Sequence, residues 1–110
     1  YYSIGHLIFP SKVSQSIGWK SSPYQFELGL FTLSITIISL IVSKLNSYEV
    51  DVSISYIWLL FFIFASINHI KHIIKSKNYS FNNIQPISIT IIMGYLIIDN
   101  SRLFLTNIVK

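Results

Sequence analysis

Three histidines, His6, His69 and His72, are the side chains of this 110-residue chain whose charge changes near neutral pH. An imidazole can ligate a metal ion or shuttle a proton. Two imidazoles from different helices can also clamp a haem iron axially. Gln25, Glu27 and Asn68 are the polar neighbours that could share such work. His6, Glu27 and His69 are therefore the candidate metal ligands. With Gln25 they form the candidate ligand- or cofactor-binding set. Each has a plainer reading. His69 and His72 stand three apart beside Lys71 and Lys75, where a helix end is ordinarily wetted. Glu27 follows Gln25 by two residues, about 200° round a helix, so the two cannot share a face. A carboxylate in a first turn is also what the helix dipole favours. No HExxH, GxSxG or glycine-rich phosphate loop occurs, so no catalytic motif is present. The absence of cysteine removes disulfides, thiolate metal sites and cysteine nucleophiles.

The elements that must position these residues are apolar. Hydrophobic residues make up 52% of the chain and charged residues only 11%, under half the roughly 25% of soluble domains. This excludes a disordered chain and disfavours a soluble monomer. Three stretches read as transmembrane helices, at about 24–43, 52–70 and 84–105. Leu28–Ser43 and Val52–Ile67 each hold ten Leu, Ile, Phe or Val residues. Insertion then gains about 3–6 kcal/mol per segment, which outweighs one Glu27 near an interface. In the third segment, Pro86 is placed in the first turn, and Asp99 and Arg102 pair at the exit interface. Residues 1–9 read as the C-terminal part of a further helix that starts upstream, ended by Pro10 and the polar run Ser11–Ser22. Stretches of 15–20 uncharged residues are too long for ordinary strands. The expectation is a single, N-terminally incomplete, all-α membrane domain over 1–110: a helical bundle of three transmembrane helices and part of a fourth. No internal repeat is evident.

Loop charge sets the expected orientation. The connections 11–22 and 71–83 are basic, and the one between them carries Glu49 and Asp51. The positive-inside rule places 11–22 and 71–83 in the cytoplasm. Trp19 and Tyr24 fit aromatic belt positions. The net charge of +4 is thus topological, and no basic patch with interleaved aromatics points to nucleic acid. Gln25, Gly29, Thr32, Thr36, Ser39 and Ser43 form a small-and-polar stripe at spacings of four and three. A second stripe runs Asp51, Ser55, Trp58, Phe62, Ala65, His69 and His72. Thr90 and Gly94 form a small-xxx-small pair. Such faces let membrane helices approach closely, so Gly29, Thr32, Thr36, Ser39, Thr90 and Gly94 are the expected packing residues.

One block carries a resemblance. Gly5-His6, Ile17-Gly18-Trp19 and Ser22-Pro23-Tyr24-Gln25-Phe26-Glu27-Leu28-Gly29 resemble the GH…IGW…SPFQxExG pattern of a small prokaryotic integral membrane family, a domain of unknown function. The resemblance implies about four membrane helices and a prokaryotic plasma membrane, and marks His6, Gln25, Glu27 and His69. It also implies a Gly-His closing the third helix, where Asn68-His69 stands here, and an Asn-rich turn, filled by Asn78, Asn82 and Asn83. An Asp common early in the family's last helix is matched by Ile91.

The resulting expectation is a membrane protein with a polar ligand, ion or cofactor site at its cytoplasmic helix ends. The alternative is a non-catalytic subunit or assembly partner of a membrane complex. The expected partners are the bilayer and further copies or other subunits.

Overall fold

The computed structural model describes residues 2–45 and 47–108, with side-chain surroundings up to Asp99. Every regular element among them is an α-helix: α1 (Tyr2–Ile8), α2 (Pro10–Ile17), α3 (Tyr24–Val42), α4 (Tyr48–Ser76) and α5 (Phe81–Ile108). Helices α3, α4 and the Phe81–Asp99 part of α5 are long and apolar enough to cross a membrane. In lipid each backbone N–H and C=O must be satisfied within its own segment, so the many β-branched isoleucines do not divert these stretches to strands.

The helix ends differ from the sequence reading in four places. The run Ser11–Ser22, expected as a connection, begins as helix α2. Phe9, at φ −126° and ψ 44°, kinks the chain, and Pro10 opens the new helix, where its missing N–H costs nothing. Bonds from Phe9 N to Gly5 O and from Val13 N to Phe9 O, both 3.0 Å, carry the chain across the kink. Helix α4 starts at Tyr48, before 52, because Glu49 and Asp51 suit a first turn. It also runs past 70 to Ser76, since no Gly or Pro interrupts Lys71–Ser76. Lys77, at φ 57°, closes it. Pro86 lies in the sixth position of α5 rather than in its first turn. There it removes the N–H that would reach Asn82. The expected Asp99–Arg102 pair falls partly outside the described side chains.

Helix α1 packs along α3, and α4 packs along α5, while contacts between the two pairs are sparse. The Cα atoms extend 53 × 29 × 15 Å, so this flattened bundle is little more than one helix thick. Most apolar side chains consequently face outward, where a bilayer would meet them.

The α3 stripe packs over most of its length, and its last member, Ser43, is exposed. Gln25, Gly29 and Thr32 are buried, and Thr36 and Ser39 are half-buried. A Cβ at Gly29 would lie 2.7 Å from Leu7 Cγ and 3.1 Å from His6 Cβ, so only glycine allows this approach of α1. Farther along, Trp58 Nε1 donates to Ser39 Oγ at 3.3 Å and joins α4 to α3. The Thr90–Gly94 expectation holds only in its first half. Thr90 bonds Ser66, but a Cβ at Gly94 would meet nothing within 4 Å. The α4–α5 contact near Thr90 is a hydroxyl pair, and Gly94 faces open space.

Candidate functional site

The polar residues gather at one end, where α1 and α4 finish and α3 and α5 begin. Asp51 to His69 spans about 27 Å of helix at 1.5 Å per residue, nearly a hydrocarbon thickness.

His69 is held in a dense network. Its Nδ1 lies 2.8 Å from Asn83 Oδ1. Asn83 Nδ2 donates to Ile17 O at 3.3 Å and to Asn78 O at 3.0 Å, which fixes the amide with its oxygen toward the ring. An amide oxygen only accepts, so His69 carries its proton on Nδ1 and a lone pair on Nε2. Trp19 stacks on the ring with centroids 5.2 Å apart and planes at 23°. Asn78 Nδ2 donates to Ser16 O at 3.0 Å, and Asn82 Nδ2 donates to Ser16 Oγ at 2.7 Å. These bonds tie the start of α5 to α2.

His6 has a simpler setting. It is buried between α1 and α3, and its Nδ1 lies 2.6 Å from Gln25 Oε1. With Gln25 Oε1 as the facing atom, the proton is on Nδ1 and the lone pair on Nε2; no second bond of the Gln25 amide fixes that orientation among the described residues. Tyr2 stacks with this ring at 6.3 Å and meets Phe62 of α4 edge-on at 5.2 Å. No hydrogen bond engages Nε2 of His6 or of His69 among the described residues.

Both imidazoles line one cavity of about 850 Å³ between the two helix pairs. This is within the usual range of small-molecule sites. Its walls are largely apolar, with Ile4, Phe9, Leu28, Phe61 and Phe64, and Trp19 closes one side. Lys12, Asn68, Asn82 and Gln85 supply the polar part of the lining. Lys12 Nζ sits 5.4 Å above the Phe9 ring.

The expected residues thus separate. His6, Gln25 and His69 come together at one end, and Asn68 joins them in the lining while exposed on α4. Glu27 does not join them. It is exposed on α3, on the face away from buried Gln25, as two residues of helical rotation require. Among the described residues no three His, Cys, Asp or Glu side chains form a metal-holding group. Of the candidates His6, Glu27 and His69, the two histidines line one cavity with amide partners, and Glu27 lies outside that lining. His72, expected in the interfacial region, is half-buried with its edge toward Trp19 at 6.0 Å. Its Nε2 has no hydrogen-bond partner among the described residues.

Two contributors escaped the sequence reading. Asn83 passed for turn filler, and Trp19 for an interfacial anchor. The available signal was Asn83's place three residues after Ser80 at a helix start, where a side chain can turn back toward the preceding helix.

Comparison with curated proteins gave no match, and comparison with solved structures gave none either. A family model does match, over residues 1–99. The chain of three apolar helices and a paired-histidine cavity belongs to the family of unknown function DUF6790.

Proposed function

We propose that this protein binds a small, largely apolar molecule in the cavity between its helix pairs, and holds it through Nε2 of His6 and His69. One observation carries the reading. Each ring sets its Nδ1 against an amide oxygen, which leaves Nε2 of each ring without a hydrogen bond, and both rings line the same apolar cavity. Outer partners of this kind fix the tautomer and orientation of a ligating imidazole. A histidine serving only as packing needs no such orientation toward an open space. The occupant therefore presents either hydrogen-bond donors or a metal centre to the two nitrogens.

Trp19 offers a direct readout. The chain has two tryptophans, so Trp58→Phe leaves Trp19 alone against the cavity. Decylubiquinol, an apolar ring with two hydroxyl donors, and hemin are suitable probes. Saturable quenching of Trp19 by either probe, lost in the His6→Ala/His69→Ala double variant, supports the reading. Quenching that is non-saturable, or indifferent to both histidines, overturns it.

The orientation belongs to the same proposal. With segments 11–22 and 71–83 in the cytoplasm of a prokaryotic cell, the cavity opens at the inner face of the plasma membrane. The lysines of those segments support this side. Because the chain lacks cysteine, Ser76→Cys and Ser47→Cys give clean accessibility probes. An impermeant maleimide added to intact cells is expected to label the Ser47→Cys variant and not the Ser76→Cys variant. The opposite pattern would reverse the orientation.

A further inference from the structure

The two helix pairs repeat one pattern. Ser3-Ile4-Gly5-His6 on α1 returns as Ser66-Ile67-Asn68-His69 on α4. Ser22, Gln25 and Thr32 return, at the same mutual spacing, as Ser80, Asn83 and Thr90. The bonds repeat with the residues. His6 meets Gln25 at 2.6 Å, and His69 meets Asn83 at 2.8 Å. Ser3 Oγ donates to Thr32 Oγ1 at 3.1 Å, and Ser66 and Thr90 hydroxyls meet at 2.7 Å. Both threonines donate to the carbonyl four residues back, Thr32 to Leu28 and Thr90 to Pro86. Gln25 N bonds Ser22 O as Asn83 N bonds Ser80 O. Each first half also ends on a positive φ, at Gly18 and at Lys77. The histidine and its amide stand 19 apart in the first copy and 14 apart in the second. That difference falls in the connections, mostly as the extra turn of α2 that follows the Phe9 kink.

The sequence reading saw no repeat because the apolar residues between these positions differ. The polar positions show that α1–α3 and α4–α5 are two copies of one helix hairpin. Both run in the same sense, as parallel repeats do, rather than as an inverted pair. His6 and His69 are then equivalent positions, and the cavity they share lies between the copies.

We infer that the occupant is an iron porphyrin, with His6 and His69 as its two axial ligands. This rests on the binding reading above and names its ligand. Three observations favour it. Two equivalent Nε2 lone pairs match the two open positions of an iron that already holds four porphyrin nitrogens. A bare metal ion would need further protein ligands, and no third His, Cys, Asp or Glu joins the pair among the described residues. The cavity has an apolar, aromatic body and a cation, Lys12, in its lining, which suits a flat ring with carboxylate side groups.

Hemin titration of the full-length protein in detergent tests this. The expected result is saturation at one hemin per chain, with a low-spin spectrum and resolved α and β bands on reduction by dithionite. His6→Ala and His69→Ala should each lose the low-spin bands, and added imidazole should restore them, which shows that the variants are folded. Asn83→Leu should weaken binding about 10–100-fold. A high-spin wild-type complex, or low-spin bands that survive either histidine substitution, would overturn the proposal. If hemin fails while decylubiquinol still quenches Trp19 in a histidine-dependent way, the ligand is wrong and the binding reading stands. If both probes fail, both readings fall.

Discussion

The two hairpins make the same histidine-to-amide bond, yet they are secured differently. In the α4–α5 hairpin, Asn83 serves His69, Ile17 O and Asn78 O at once, and Trp19 covers the ring. In the α1–α3 hairpin, the bond of His6 to Gln25 stands beside a looser Tyr2 stack and the close approach at Gly29. The difference shows what couples the copies. Asn83 reaches a carbonyl of α2, and Trp19 reaches a ring of α4, so the second site is closed by parts of the first hairpin. His69 is held from three helices and a connection, and His6 by its own hairpin with one ring contact.

This contrast can be broken at its stronger side first. Asn83→Leu leaves His69, Ile17 O and Asn78 O without their shared partner. At about 1–3 kcal/mol for each unsatisfied group, a loss of about 3 kcal/mol or more is expected in unfolding measured in detergent. Gln25→Leu strands one group only, so it should cost about 1–3 kcal/mol. Equal losses for the two variants would remove the distinction between the sites.

Glycine substitutions sharpen the comparison at the helix contacts. Gly29→Ala places a methyl against Leu7 and His6 and should cost about 1–3 kcal/mol by overpacking. Gly94→Ala meets open space and should gain up to about 1 kcal/mol from helix propensity. A destabilised Gly94→Ala would mean that this face has a partner. The smallest effects belong to the hydroxyl pairs. Ser3→Ala and Ser66→Ala should each cost about 0.6 kcal/mol, typical of hydrogen bonds between membrane helices.

How much of this was legible follows from what each residue's neighbours are. The long helices showed in the sequence because a bilayer demands uninterrupted apolar runs. Gln25, Gly29 and Thr32 showed because a buried face repeats every three or four residues. Helix α2 did not show, since Pro10-Ser11-Lys12 reads as a connection until a kink at Phe9 is allowed. Glu27 shares a helix end with the histidines in the expected topology, and helix rotation puts it on the outside. Asn83 and Trp19 were hidden for a different reason. Both meet His69 from other helices or connections, far along the chain, and no periodicity within one helix marks such a contact. The repeat lay in a few polar positions separated by unrelated apolar residues, and only the shared bonds made them visible as a set.

Binding as proposed requires that His6 and His69 both carry their lone pair on Nε2. Nitrogen-15 NMR of histidine-labelled protein tests it most directly, at about pH 8, above the ordinary histidine pKa of about 6.5. Three histidines give a small spectrum that single substitutions can assign. The expected result is the Nδ1–H tautomer at both His6 and His69, with shifts of both Nε2 signals when hemin or decylubiquinol is added. An Nε2–H tautomer at either ring would contradict it.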